Sequence, residues 1–269
     1  MHEIIYNNNT FRAFKTSSFS HLPSEKTKTV FLNLCKKYNL NSFETYIDCG
    51  AAVGVETVQQ VSVFKQIHSF EPTREQFALL THNIQNYSSC RAYNCALTNY
   101  KGKARLSIYE SSYQHRKLPN TGIKRERQKP SYRVKVTTLD SFDFSNVSFI
   151  KIDVEGAERE LLLGSMHTLE KNCPLLKIEI SRKPYDVIKI LKQLNYTCIG
   201  FQFDGIFYEI ENELTFIEND DILYWSSKNM RIDWRLHPRE ASRKLIFPDG
   251  YYPNWGDFWF MKNSGASSL

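Results

Sequence analysis

The sequence predicts an α/β protein built on a mostly parallel sheet with helices on both faces, and three observations carry that expectation. Strand-like and helix-like runs alternate through residues 45–97 and again through residues 147–193, the pattern of successive parallel strands with helical crossovers. The first strand-like run, "TYIDC", breaks at Gly50 and Gly54 and restarts as a helix-like segment. Acidic residues stand at the ends of further apolar runs, namely Glu71, Asp153 and Glu179. Strand ends are where an open parallel sheet binds its ligands.

Residues 1 to about 22 are polar and read as an arm or loosely packed leader. Ser24 can cap a helix whose apolar positions Val30, Phe31, Leu34, Cys35 and Tyr38 recur at helical spacing. "TYIDC" is a buried strand, "VETVQQVSVF" a helix and "QIHSFEP" a second strand ended by Pro72. Thr73 can cap the helix "REQFALLTHNIQNY", and "CRAYNCAL" is a third strand. "TNYKGKARLSIYE" reads as a hairpin with Lys101-Gly102 at its turn. A basic stretch follows: Lys101 to Lys135 holds eleven Lys and Arg against Glu110 and Glu126. The alternation resumes with the strand "VSFIKIDV", the helix "GAERELLLGSMHTLEK", the strand "PLLKIEI" and the helix "KPYDVIKILKQLN". "YTCIGFQFDG", "IFYEIE" and "DILYW" then read as closing, partly antiparallel strands.

The tail after residue 227 is rich in Trp, Tyr, Phe and Pro ("IFPDGYYPNWGDFWF"). It is too aromatic for a free linker and is expected to pack on the domain, a partner subunit or a substrate. A homo-oligomer formed through it is one expectation. The chain thus divides into an N-terminal arm and helix (1–40), a main domain (41–227) with a basic insert at about 110–131, and an aromatic extension (228–269).

With 269 residues the chain suits one large domain with appendages. A net charge of +6 permits an anionic partner without requiring one. Six cysteines show no C-x-x-C or metal-finger spacing, so buried thiols in a reducing compartment are expected. The first fifteen residues lack the apolar core of a signal peptide. No apolar run approaches the roughly 20 residues that span a bilayer. A soluble, cytoplasmic protein is the expectation.

The glycines at 50 and 54 let the backbone turn sharply beside a ligand. The spacing is not G-x-G-x-x-G, because Ala52 stands where the middle glycine would admit a pyrophosphate. Glu71, about 20 residues on, can accept hydrogen bonds from ribose hydroxyls. NAD and S-adenosylmethionine both carry a ribose, so Glu71 alone leaves the two open. Asp153 and Glu155 would share one face of an extended strand, and Glu179 comes to the same sheet edge. These carboxylates could hold a divalent cation, anchor a substrate hydroxyl, or serve as general base.

Taken in order, "YIDCGAAVG", "SFEP", "NCALTNYKG", "TTLDSF", "IKIDVEGAERELLLG" and "PLLKIEI" resemble the FkbM family of S-adenosylmethionine-dependent methyltransferases over residues 43–226. The resemblance implies a Rossmann-like class I methyltransferase sheet of seven strands, mostly parallel, with an antiparallel closing strand. It implies O-methylation of a hydroxyl on a sugar, glycan or small metabolite, with S-adenosyl-L-methionine as methyl donor. Asp48, Gly50, Ala51 and Gly54 would then form the cofactor loop. Glu71 would take the ribose, with Pro72 beside it, and Ala96 and Leu97 would lie near the adenine. Asp153 would sit at the methionine moiety and the transferring methyl, while Glu155 and Glu179 would face the acceptor as further catalytic groups. The family usually has Asn at the position of Ala52.

The basic insert carries Tyr113 and Tyr132 and falls between strands three and four, where a loop can close over a substrate. His115, Arg116 and Lys117 are its candidates for holding an anionic acceptor such as a nucleotide-linked sugar, a phosphorylated glycan or RNA. An RNA ribose 2′-O-methyltransferase is the alternative enzyme. It would need a Lys-Asp-Lys-Glu tetrad, yet Glu179 stands where the tetrad wants lysine, and Lys183 follows Arg182 in a turn. A catalytically silent binding module is the alternative outside enzymes.

Overall fold

The protein is described from a computed structural model that covers residues 2–6, 9–13, 26–110, 119–122, 131–180, 184–203, 206–210, 214–217, 222–225, 230–233 and 257–263. In chain order the elements are β1 (His2–Tyr6), β2 (Asn9–Ala13), α1 (Lys26–Lys37), β3 (Thr45–Cys49), α2 (Val55–Gln59), β4 (Gln66–Phe70), α3 (Arg74–Ile84), β5 (Cys90–Tyr93), β6 (Ala96–Leu97), β7 (Gly102–Glu110), β8 (Pro119–Gly122) and β9 (Ser131–Thr137). A 3₁₀ turn (Leu139–Phe142) leads to β10 (Val147–Ile152), α4 (Glu158–Leu163), α5 (Met166–Asn172), β11 (Leu175–Glu179), α6 (Pro184–Gln193), β12 (Tyr196–Phe203), β13 (Ile206–Glu209), β14 (Leu214–Ile217), β15 (Ile222–Trp225), β16 (Met230–Asp233) and β17 (Asp257–Lys262).

The main sheet runs in the order β13-β12-β17-β11-β10-β3-β4-β5. Strands β11, β10, β3, β4 and β5 are mutually parallel. β17 lies antiparallel between β11 and β12. Seven strands with one antiparallel member, plus β13 at the edge, give the class I methyltransferase arrangement. The closing strand comes from the far C-terminus, so the boundary drawn at residue 227 cuts off a strand that belongs to the sheet by hydrogen bonding. "DILYW", expected to close the sheet, lies instead in a separate three-stranded sheet with β14 and β16. Periodicity marks a run as a strand but carries no information on its pairing partner.

Alternation along the strands sorts the core into two layers. On one face Tyr46, Phe149 and Trp259 pack with Phe64 and with Phe31 of α1, ring centroids 4.8–5.4 Å apart. On the other, Ile47, Ile150, Ile152 and Ile178 are buried with Leu161, Leu162 and Val187 from the helices. Phe258, Trp259 and Phe260, read in the sequence as part of an aromatic extension, fill both layers. A second sheet runs in the order β6-β9-β7-β8. The hairpin expected with Lys101-Gly102 at its turn does not form: Gly102 opens β7, which pairs antiparallel with β8 and β9, while β6 pairs in parallel with β9.

Two local expectations are corrected. The helix expected over "GAERELLLGSMHTLEK" breaks at Gly164, where a Cβ would stand 2.0 Å from the Thr98 carbonyl oxygen. Asp140 then caps the second piece, accepting hydrogen bonds from the Thr168 amide and hydroxyl (both 2.8 Å) and the His167 amide (3.1 Å). Residues 9–13 are not loosely packed: Phe11 and Ala13 are buried against Ala51, Val53 and Leu80. The Asn83 side chain accepts from the Arg12 amide (2.7 Å) and donates to the carbonyls of Arg12 (2.9 Å) and Val53 (2.8 Å). The N-terminal hairpin is thereby tied to the glycine loop after β3. Ser24 lies outside the described residues. The six cysteines are free thiols, four of them buried, and burial pushes Cys35 and Cys95 up to about 11.

Candidate cofactor and acceptor site

The loop after β3 is built by backbone hydrogen bonding. The amides of Gly50 and Ala51 both donate to the Phe70 carbonyl at 3.0 Å, and the Gly54 amide donates to the Ala51 carbonyl at 2.8 Å. Glu71, just past β4, accepts from the amides of Ala52 (3.0 Å) and Thr73 (2.7 Å). Asn94 donates to the Glu71 carbonyl at 2.9 Å. Glu71 is buried, which raises its pKa against the pull of those amides. Each of its oxygens keeps a second lone pair for a ligand hydroxyl.

Ala52 adopts φ +48°, the left-handed region. A side chain with a Cβ is strained there, whereas Asn is among the residues that tolerate it. The letter that departs from the family pattern therefore carries a backbone cost, and no ligand contact need be invoked to explain why Asn suits the position. Ala52→Asn is expected to stabilise the protein by about 0.5–1 kcal/mol. Urea unfolding checks this, and an Asn variant no more stable than the parent refutes it.

Beneath the loop lies a buried charged layer on one face of the sheet. Register places Asp48, Lys151 and Lys177 side by side on β3, β10 and β11. The Lys151 ammonium donates to the Gly50 carbonyl at 2.9 Å. It stands 3.3 Å from Asp48, 3.5 Å from Asp153 and 4.0 Å from Glu56. The Lys177 ammonium meets Thr27 (3.0 Å), Glu56 (2.8 Å) and Asp257 (3.1 Å). Asp48 is fully buried and also accepts from the Thr57 hydroxyl at 2.6 Å. Burial opposes ionisation of Glu56, yet the Lys177 and Lys151 ammoniums hold its carboxyl down at about 2.

Above this layer the sheet edge is acidic. Glu179 and Asp257 are direct register partners on β11 and β17. Glu179 also hydrogen-bonds Asp153, and the Asp153 charge followed by burial raises its pKa well above the usual carboxylate range. The chain leaves Asp153 through a turn with Glu155 at φ +54° and Gly156 at φ +99°. Glu158 accepts from the Gly156 amide at 2.8 Å and is 1% exposed. Burial pushes it up to about 7. A carboxyl raised in the folded state stabilises the fold below its unfolded value of 4.5, and that contribution is lost as pH climbs to about 7. Glu158→Gln is therefore expected to be about 2–3 kcal/mol more stable than the parent at pH 8, with the gap closing toward pH 5. Unfolding curves at the two pH values check it, and a pH-independent difference refutes it.

Of the residues singled out in the sequence, Asp48, Gly50, Ala51, Gly54, Glu71 and Pro72 come together in and under one loop. Asp153, Glu155 and Glu179 lie at the adjoining strand ends. Ala96 and Leu97 are buried and pair in parallel with Val136 and Thr137 of the second sheet. His115, Arg116 and Lys117 lie outside the described residues. Among the described residues no group of three or more His, Cys, Asp and Glu is arranged to hold a metal ion. Sequence reasoning missed Lys151, Lys177, Glu56 and Asp257. Their signal was present: a lysine inside the apolar runs "FIKIDV" and "LLKIEI" is costly unless it is paired.

The sheet order and the strand-end site define a class I methyltransferase fold. The chain matches the Methyltransferase FkbM domain over residues 48–203. That match covers more than half of its 269 residues, and the chain belongs to that family. Among solved structures it resembles the methyltransferase FkbM from Methylobacillus flagellatus KT at 15% identity and a TM-score of 0.46, with 84% of this chain and 46% of that one covered. It thus spans about half the length of that protein. It also resembles a precorrin-6y C5,15-methyltransferase from Geobacter metallireducens GS-15, at 9% identity and a TM-score of 0.40, with 93% of each chain covered. No curated protein matches.

Proposed function

We propose that this protein is an S-adenosylmethionine-dependent O-methyltransferase acting on a hydroxyl of a sugar, glycan or small metabolite. The observation that carries the reading is the acidic edge, Asp153, Glu179 and Asp257, beside a glycine loop whose backbone converges on Glu71. Four carboxylates (Asp48, Glu56, Asp153, Asp257) lie within 4.0 Å of two ammoniums (Lys151, Lys177). That acid excess complements a cationic methyl donor. When bound, S-adenosylmethionine supplies an electrophilic methyl on a sulfonium. Glu71 would accept hydrogen bonds from its ribose, Asp153 would face its positive end, and the strand-end carboxylates would orient and deprotonate the acceptor hydroxyl. Carboxylates can take that proton without a metal, and assays with magnesium and with a chelator decide whether a divalent cation takes part.

The RNA reading has less support. Lys151 and Lys177 are already paired with carboxylates, and an acid-lined edge repels a phosphodiester. An anionic group remote from the reacting hydroxyl would instead fall to His115, Arg116 and Lys117 in the insert. Among the described residues no helix is long and apolar enough to cross a membrane. Calorimetry with S-adenosylmethionine tests the class. The wild type is expected to bind, and Glu71→Ala to bind at least tenfold more weakly. No binding by the wild type overturns the proposal. Methyl transfer to glycan, nucleotide-sugar and RNA acceptors then separates the substrate classes.

A further inference from the structure

We infer that Asp257, on the closing strand, is the general base that removes the proton from the acceptor hydroxyl, with Lys177 as its positioning residue. The inference rests on the methyltransferase reading above and assigns a role to a residue beyond the family match over residues 48–203.

The argument starts from topology. β17 enters the sheet antiparallel, so its first residue, Asp257, lies at the same edge where the parallel strands end. Its register partners are Glu179 on β11 and Gln202 on β12. Alternation puts Asp257 on the same face as Trp259, hence on the face of Lys177 and Lys151. The loop side of the sheet and the closing strand thus meet through one ammonium: Lys177 joins Glu56 of α2 at 2.8 Å and Asp257 at 3.1 Å.

The three edge carboxyls are not equivalent. The Asp153 charge, followed by burial, raises Glu179 well above the usual carboxylate range. Asp153 faces Lys151 at 3.5 Å and receives the Glu179 hydrogen bond. Asp257 is met by Lys177 at one oxygen, Oδ2, and its side chain is 29% exposed. Burial raises it to about 6 while Lys177 opposes the rise, so it is ionised at neutral pH and close to the value that suits a general base. The groups facing it are Lys177 and Glu179 from β11, Glu56 from α2, Asp153 after β10 and Gln202 from β12.

The step balances. A lone pair of the acceptor oxygen forms the new bond to the methyl carbon. The carbon–sulfur bond breaks with its electron pair passing to sulfur, which becomes a neutral thioether. The hydroxyl proton passes to the Asp257 carboxylate.

A test need not await the natural acceptor. A base that serves an oxygen attacking the methyl must lie close to that methyl. It will therefore attract the amine of sinefungin, which stands where S-adenosylmethionine carries its methylsulfonium. S-adenosylhomocysteine has no charge there. At pH 7.5 the wild type is expected to prefer sinefungin at least tenfold by calorimetry, and to lose that preference as pH falls through about 6. Asp257→Asn is expected to cut the preference about tenfold while binding S-adenosylhomocysteine within twofold of the wild type. Asp257→Glu should restore part of it. An Asp257→Asn protein that keeps the full preference overturns the inference. If the Asn variant fails to fold, a wild-type preference unchanged from pH 7.5 to 5 overturns it equally. A wild type that binds neither nucleoside overturns the methyltransferase reading itself, a separate result.

Discussion

Lys151→Met is expected to cost about 3–5 kcal/mol at pH 8 and markedly less at pH 5. The methionine fills most of the lysine's volume, so the loss is electrostatic. Lys151 is 6% exposed, and its ammonium serves the Gly50 carbonyl and three carboxylates within 4.0 Å. Burial alone would drive a lysine toward neutrality, but Asp48, Asp153 and Glu56 hold its pKa well above the usual value. Removing it leaves the fully buried Asp48 without its counter-charge.

Asp48 is already raised by burial, with Lys151 the largest influence holding it down. Without Lys151 its folded pKa climbs further. The unfolded chain then binds fewer protons than the folded one over a wider range, so stability falls as pH rises above 3.8. Urea unfolding of the parent and variant at pH 8 and pH 5 reads the difference. A penalty equal at both values would mean that the lysine matters for packing alone. Asp48→Asn in the Lys151→Met background should recover part of the loss, and the double-mutant cycle measures the coupling.

Those same lysines mark the limit of what could be read in the sequence. Buried strands such as β10 and β11 declare themselves because both faces are covered, so apolar residues run almost without interruption. The one interruption per strand, Lys151 and Lys177, was legible as an anomaly. Its meaning depended on Asp257, 80 residues beyond Lys177, and long-range pairing of that kind leaves no local pattern. The glycine loop, Glu71, Asp153 and Glu179 were legible because βα units place each of them at a strand end within a short stretch of chain. The close approach of Gly164 to the Thr98 backbone was not, since it joins segments 66 residues apart. Ala52 was visible as a discordant letter, but its place in the left-handed region at φ +48° was not.

Gly50→Ala is expected to be the most damaging single substitution in the loop, costing more than about 4 kcal/mol or preventing soluble expression. A Cβ at Gly50 would stand 1.8 Å from the Asp153 carbonyl oxygen and 2.8 Å from its carbon, both backbone atoms that cannot rotate away. The residue also sits at φ +81°, which a Cβ disfavours by about 1–2 kcal/mol before any clash. Relieving the clash means separating the tip of β3 from the chain leaving β10. That separation strains the Asp153 amide bond to the Cys49 carbonyl at 3.0 Å and the Lys151 bond to the Gly50 carbonyl. Gly54→Ala meets the end of a flexible side chain, Leu80 Cδ1 at 2.6 Å, and adds the strain of φ +87°, so about 1–3 kcal/mol is expected. Gly102→Ala meets nothing nearer than 3.9 Å, so its cost is the strain of φ +151° without a clash. The unfolding midpoint of Gly50→Ala must lie below those of the other two variants, and a Gly50→Ala protein as stable as Gly102→Ala would refute the close approach. The glycine at 50 is thus required by contact between two loops: the one that would wrap the methyl donor and the one that carries Asp153 touch backbone to backbone, which fixes the acid relative to the loop.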